Sequence, residues 1–337
     1  MHSNMGKTEK KTNNIRFMDF CAGIGAGRLG LENNGLSCVG FSEIDSFAEK
    51  TYRVFFGNDE INHGDLMKID TGKLPDFEMM IAGFPCQTFS VIGQRKGMTD
   101  TRGQVIYGLI KIMKEKNLKY FLLENVKGLT NHDGGNSLKV ILNELDKAGY
   151  KVFHKVLNSV NHGVPQMRER IYFVGIRKDL ISEDFTFEFP ELKPPVDVKK
   201  YLIDTKELEF GEKKQSFVTF TKYLNNKYNK NKFELKDFLR KEFLVIDTRQ
   251  SDLRLYENKV PTLRTGRHGI LYVRNGKLRK LSGYESLLLQ GFPERIAKKS
   301  QGIEESHLLR QTGNAMTVNV IDAIVSKLFS LLEKHEK

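Results

Sequence analysis

A chain of 337 residues, 39% hydrophobic and 28% charged, is long enough for one large core and a smaller lobe, and it contains no apolar run near the roughly 20 residues that a membrane span needs. Its three cysteines (Cys21, Cys38, Cys86) lack paired spacing and its eight histidines form no HExxH or Cys/His cluster, which argues against a disulfide framework or a metal centre and fits a reducing cytoplasm. The net charge of +12 favours a polyanionic partner such as nucleic acid.

Residues 1–14 are polar and lysine-containing with no apolar segment behind them, so they read as a flexible tail rather than a secretory signal. Strand-like and helix-like segments then alternate: strand 16–21, helix 27–33, strand 37–42, helix 46–55, strand 78–82, helix 104–116, strand 120–124, helix 137–148, and strands 151–157 and 170–176. Such alternation predicts a parallel sheet covered on both faces, with ligands beyond the carboxyl ends of the strands. Three candidate sites lie at those ends: the glycine loop after Cys21, the Pro85-Cys86 turn, and Glu124-Asn125. After about Asp184 a connector with Pro190, Pro194 and Pro195 opens a second lobe with short strands at 243–246 and 270–273. From Val245 to Lys280, nine Lys/Arg stand against three acids, which suggests an exposed basic surface. Apolar residues at helical spacing from Val320 to Leu332 predict a last helix that packs back on the first lobe.

The glycine loop Gly25-Ala26-Gly27-Arg28-Leu29-Gly30 matches GxGxxG between a strand and a helix, with Glu43 and Asp45 near the distance expected for a ribose-binding acid. The pattern suits a nicotinamide dinucleotide and equally the adenosine of S-adenosylmethionine, because both need close backbone approach and an acid on the ribose. Cys86 ends a buried strand and opens a glycine-rich polar loop. By itself that fits either a packed residue or a nucleophile.

Taken in order, these segments resemble the DNA (cytosine-5) methyltransferases of bacterial restriction–modification systems. The resemblance rests on Phe17 to Gly25, Ser42-Glu43-Ile44-Asp45, Gly64-Asp65, Gly83-Phe84-Pro85-Cys86-Gln87, Glu124-Asn125-Val126, Gln166-Met167-Arg168-Glu169-Arg170, Arg279-Lys280-Leu281 with Gln290-Gly291-Phe292-Pro293, and Gln311-Thr312-Gly313-Asn314-Ala315. It implies a Rossmann-like S-adenosylmethionine-dependent methyltransferase sheet in residues 15–183. A smaller, mainly β target-recognition domain would occupy 184–280, and 281–337 would return to the first domain. It further implies covalent catalysis by Cys86, with Glu124 on the pyrimidine ring, Arg170 on its carbonyl oxygen, and Arg168 positioning a loop or a phosphate. The methyl donor would be held by Asp19, Phe20, Ala22, Gly23, Gly25, Glu43, Ile44, Asp65, Pro85, Asn314 and Ala315. Several members carry an aromatic residue where Cys21 stands, so Phe20 or Ile44 is expected to take over the adenine contact. Ser90, Gln94 and Arg95, in a loop expected to close over a flipped base, and Arg264 and Arg267, as guanine readers, are expected on double-stranded DNA. The implied protein is a cytoplasmic monomer without a membrane, sharing a site with a cognate restriction endonuclease it does not touch. A related enzyme acting on tRNA and a nicotinamide-dependent oxidoreductase are the competing readings. The second leaves Cys86, Glu124 and Arg170 without a task.

Overall fold

The structure, a computed structural model, describes residues 15–84, 105–203, 215–266 and 269–335. In the first lobe the chain forms β1 (Arg16–Phe20), α1 (Ala26–Glu32), β2 (Ser37–Ser42), α2 (Ser46–Phe56), β3 (Met79–Gly83), α3 (Val105–Glu115), β4 (Tyr120–Val126), α4 (Asn136–Lys147), β5 (Tyr150–Asn158), β6 (Gln166–Met167) and β7 (Glu169–Arg177). Six strands make one sheet in the order β2-β1-β3-β4-β7-β5.

The central strands are apolar on both faces, as strands covered by helices must be. Phe17, Met79, Ile81 and Leu122 point to the face covered by α1 and the C-terminal helix. Met18, Phe20, Met80, Ala82 and Leu123 point to the face covered by α3 and α4. β1 to β4 run parallel, so their carboxyl ends lie at the same edge.

The expectation of a parallel sheet fails at β7, which runs antiparallel to both β4 and β5. A parallel neighbour needs a crossover of a dozen residues or more, usually a helix. Between Asn158 and Glu169 the chain has only a single 3-10 turn and the two-residue β6, so it folds straight back beside β5.

The second lobe contains α5 (Gln215–Leu224), α6 (Leu235–Leu239), β8 (Val245–Asp247), β9 (Arg254–Tyr256), β10 (Val260–Pro261), β11 (Ile270–Arg274) and β12 (Lys277–Lys280). Its antiparallel sheet, β12-β11-β8-β9, is apolar on both faces. Ile246, Leu271 and Val273 pack under α5 and α6 with Phe220, Leu224 and Phe238, whereas Val245, Ile270 and Tyr272 pack with Val198, Leu263 and Leu289. β8 starts two residues later than expected because Phe243 takes a left-handed conformation (φ 59°). The parallel bridge β10–β6 (Val260↔Gln166, Pro261↔Met167) stitches the two lobes together.

The chain returns through α7 (Gly283–Leu289), α8 (Glu294–Ala297), α9 (Glu305–Asn314) and α10 (Val318–His335). The stretch Glu305–His335 is long and apolar enough to cross a membrane by composition. Its apolar face is nevertheless accounted for: Val320, Ile321, Ile324, Val325 and Leu328 are buried in the core. Asn34 donates to Asp322 across the α1–α10 contact at 2.8 Å.

Candidate active site

The carboxyl ends of β1, β3 and β4 open on one cavity of about 330 Å³. After β1 the chain turns sharply. Cys21, Gly23 and Gly25 all have positive φ (52°, 56° and 82°). Gly23 donates its N–H to Glu43 Oε2 at 2.7 Å, and Asp45 N–H donates to Glu43 Oε1 at 2.7 Å. One carboxylate thus ties the loop after β1 to the end of β2. A Cβ on Gly23 would meet nothing within 4 Å, so its backbone fronts open space, as a site for a close-lying ligand requires.

Gly25 is constrained differently. A Cβ there would sit 2.3 Å from the Phe56 ring, and the left-handed φ adds strain. Gly25→Ala is expected to cost about 2 kcal/mol of stability and to weaken ligand binding at the loop, read by thermal unfolding and calorimetry. An unchanged melting temperature would contradict the packing seen at Phe56.

Glu124, at the end of β4, is buried and lies 3.1 Å from Arg170 Nε, an ion pair rather than a linear hydrogen bond. Burial raises the Glu124 pKa above the usual carboxyl range, and the Arg170 and Arg168 charges pull against that rise without cancelling it. Arg170 does not pair with the neighbouring Glu169 carboxylate, which Lys127 takes at 3.0 Å. Gly83 stands opposite Glu124 in the β3–β4 register. The next residue, Phe84, is fixed by Asn125 Nδ2, which donates to the Phe84 carbonyl at 3.0 Å.

Of the two roles expected of Arg168, on a loop or on a phosphate, its bonds engage backbone. It is buried, and its guanidinium donates to the carbonyls of Leu263 (3.0 Å), Gly313 (3.2 Å) and Ala315 (2.8 Å). With those bonds it joins the second lobe to the C-terminal segment and holds backbone rather than phosphate. Gly313 is pressed against the same place, since a Cβ on it would lie 2.4 Å from the Arg264–Thr265 peptide. Arg168→Ala would strand the Leu263 and Gly313 carbonyls, while Ala315 keeps its bond from Gln290 Nε2, and is expected to cost about 2–4 kcal/mol. Equilibrium urea unfolding measures this, and a midpoint within error of wild type would refute the cross-link.

Of the residues singled out by sequence, Ala22, Gly23, Glu43, Glu124, Arg168, Arg170, Asn314 and Ala315 line the cavity together. Asp19 does not reach it. Its carboxyl is fully buried and accepts from the Arg28 N–H at 3.1 Å, supporting the loop from below, and burial raises its pKa well above the carboxylate range. Phe20 is buried against Phe77 and cannot replace the aromatic adenine contact. Ile44, 77% exposed, remains available for it. Asp65 caps the turn at Leu66–Lys68, outside the cavity lining. Arg264 is exposed. Pro85, Cys86, Ser90, Gln94, Arg95 and Arg267 lie outside the described residues.

The cavity also uses Arg310 and Met316, which lie outside the motifs, and Cys21, Asn125 and Gln311, which the motifs contain without assigning them a cavity contact. Arg310 reaches Asp45 at 3.0 Å and Gln311 bonds to Phe47 and Thr51, which docks α9 on α2. No local pattern announces a contact spanning some 260 residues of sequence.

The sequence model of the C-5 cytosine-specific DNA methylase family matches residues 15–330. The chain is 34% identical over 331 residues to the type II methyltransferase M1.ScrFI of Lactococcus lactis subsp. cremoris, covering 97% of this chain and 81% of that one. It is 38% identical over 315 residues to the type II methyltransferase M.HaeII of Haemophilus aegyptius, covering 94% and 93%. Among solved structures, the Entamoeba histolytica methyltransferase EhMeth superposes with a TM-score of 0.67 at 17% identity over 96% of this chain and 99% of that one, a likeness of fold.

Proposed function

The chain belongs to the C-5 cytosine-specific DNA methylases, and from that premise we propose how its own residues carry out methyl transfer to cytosine carbon 5 in duplex DNA. The observation that carries the reading is the buried Glu124–Arg170 pair beside the end of β3, the strand that leads within three residues to Cys86.

Carbon 5 of cytosine is a weak nucleophile in an aromatic ring. Addition of the Cys86 thiolate to carbon 6 breaks the aromaticity and pushes the electron pair toward carbon 5 and ring nitrogen 3. Glu124 suits nitrogen 3, because its raised pKa lets it hold a proton there as negative charge develops. Its second oxygen can accept from the exocyclic amine, a donor that uracil and thymine lack. Arg170 uses Nε on Glu124 and Nη1 on its neighbour's carbonyl, and its Nη2 suits the base carbonyl oxygen. Once carbon 5 carries the transferred methyl group, loss of its proton and departure of the sulfur restore the ring and the free thiolate.

Cys86 fits the nucleophile's part better than the other two cysteines. Burial pushes the Cys21 and Cys38 thiols up to about 12, which leaves them protonated at neutral pH.

We assign the methyl donor as S-adenosylmethionine. Its fit rests on the open backbone face at Gly23 and the acid at Glu43, which suit an adenosine lying close to the loop. When bound it supplies an electrophilic methyl on a sulfonium. Ala22, Gly23, Glu43, Asn314 and Ala315 would hold it, with Ile44 against the adenine. The chain is further read as acting inside the cell, as a monomer, with residues 184–280 choosing the sequence. Its methylation would protect DNA from an endonuclease of the same specificity.

Incubating the full chain with S-adenosylmethionine and either a duplex library or total tRNA tests the substrate directly. Bisulfite sequencing should show protected cytosines in a fixed duplex context. Methylation confined to tRNA would overturn the reading. Calorimetric binding of S-adenosylhomocysteine without binding of a nicotinamide dinucleotide checks the donor.

A further inference from the structure

The backbone of the loop after β8 is held from both sides. Arg249 is buried and its guanidinium forks onto Asp247, with Nε–Oδ1 and Nη2–Oδ2 both at 2.7 Å, while Nη1 donates to the Thr262 carbonyl at 2.7 Å. Thr248 donates twice to the Gly269 carbonyl, through N–H and Oγ1, each at 2.9 Å. These bonds clip the loop to both ends of the segment 262–269. That segment is itself fastened to the cavity wall through Gln166 Oε1, which accepts from Leu263 N–H, and through Arg168.

On its other side, the second lobe's helical segment grips the same loop. Tyr223 Oη donates to the Gln250 carbonyl and Asn226 Nδ2 to the Ser251 carbonyl, both at 2.9 Å. The buried Asn229 donates to Ser251 and accepts from Leu253 N–H at 2.8 Å. Every one of these bonds to Gln250 and Ser251 is made by backbone. Among the described residues the Gln250 carboxamide has no partner, and it lines an open recess of about 530 Å³ with Lys227 and Tyr228.

Resting on the reading of the chain as a duplex-DNA methyltransferase, we propose that Gln250 reads an adenine of the recognition site. A rigid backbone carrying an unpaired carboxamide is what direct readout needs, because its oxygen and amino group together match N6 and N7 of adenine in the major groove. Lys227, at the same recess, supplies the charge for a neighbouring phosphate. The assignment goes beyond Arg264 and Arg267, which belong to a different loop and suit guanine.

The test compares wild type, Gln250→Ala and Gln250→Glu on a randomised duplex library read by bisulfite sequencing. Wild type should require adenine at one position away from the target cytosine. Gln250→Ala should relax that position alone, lowering the preference by roughly tenfold to a hundredfold. Gln250→Glu should move it toward cytosine, whose N4 donates to a carboxylate. An unchanged motif, a change at a position that is not adenine, or an equal loss on all sequences would each overturn the proposal. Failure of the wild-type chain to methylate any duplex would instead overturn the functional reading on which it rests. Thermal unfolding should match wild type, since the scaffold bonds use the backbone of residue 250 and not its side chain.

Discussion

Cys86→Ser should reduce methyl transfer by on the order of 10⁴-fold or more while DNA and donor binding persist. Serine keeps the size and shape of the side chain but not its nucleophilicity. An ordinary cysteine thiol, with a pKa of about 8.5, already offers a few per cent thiolate at neutral pH, whereas an alcohol offers essentially no alkoxide. Neighbouring positive charge would raise the thiolate fraction further. The two measurements needed are single-turnover methyl transfer and a binding titration with a fluorescent duplex. A second readout separates covalent catalysis from mere positioning. If carbon 5 carries fluorine in place of hydrogen, the proton that must leave is absent and the sulfur stays bonded to carbon 6. Wild-type protein should then run on a denaturing gel as a protein–DNA adduct, and Cys86→Ser should not. Substantial turnover by the serine variant, or an adduct formed without Cys86, would sink the covalent route.

The first lobe was legible because its strands and helices obey short periods. Ser37–Ser42 was placed residue for residue, since its run Cys38-Val39-Gly40-Phe41 is apolar between two helical segments. The orientation of β7 was not legible, because strand direction depends on the length and covering of a connection rather than on the strand's own residues. β12 was missed even though Asn275-Gly276 is the strongest short hairpin signal. Both residues have positive φ (52° and 66°) and turn β11 into β12, but the lysine and arginine content of Lys277–Lys280 reads as basic surface rather than strand.

At the site, the order of the motifs disclosed which residues gather but not what each side chain does. Arg168 and Arg170 stand two apart, so an extended strand should aim both at the same face. The single residue that separates β6 from β7 breaks that alternation. Arg168 turns inward onto three carbonyls and only Arg170 faces Glu124. Asp19 belongs to the same class: a polar residue in a cofactor motif that accepts from one backbone N–H, that of Arg28, beneath the loop. Such support is invisible in a motif, because the groups it satisfies are main-chain atoms common to every residue.

Glu124→Gln should lower the rate of the chemical step by about 10²- to 10⁴-fold, the usual worth of a positioned proton donor. The amide preserves shape and can still donate a hydrogen bond to ring nitrogen 3. It cannot transfer a proton there as the thiolate adds, so charge in the ring is left without compensation. DNA binding should survive, which distinguishes this loss from a failure of recognition. Burial raises the Glu124 pKa above its unfolded value, so the folded chain binds the proton more tightly than the unfolded one. Stability from this group is therefore fully present below the ordinary carboxyl pKa of about 4.3 and is lost as pH rises through the elevated folded value. Glu124→Gln should remove that part of the pH dependence, seen as a flatter plot of unfolding free energy against pH. The rate carries the same signature. Wild-type turnover should fall on the alkaline side as the Glu124 proton is lost, while the residual turnover of Glu124→Gln should follow only the rise in thiolate. Identical pH–rate profiles for the two proteins would show that Glu124 holds the base in place without moving a proton, and the mechanism would then have to find its acid elsewhere.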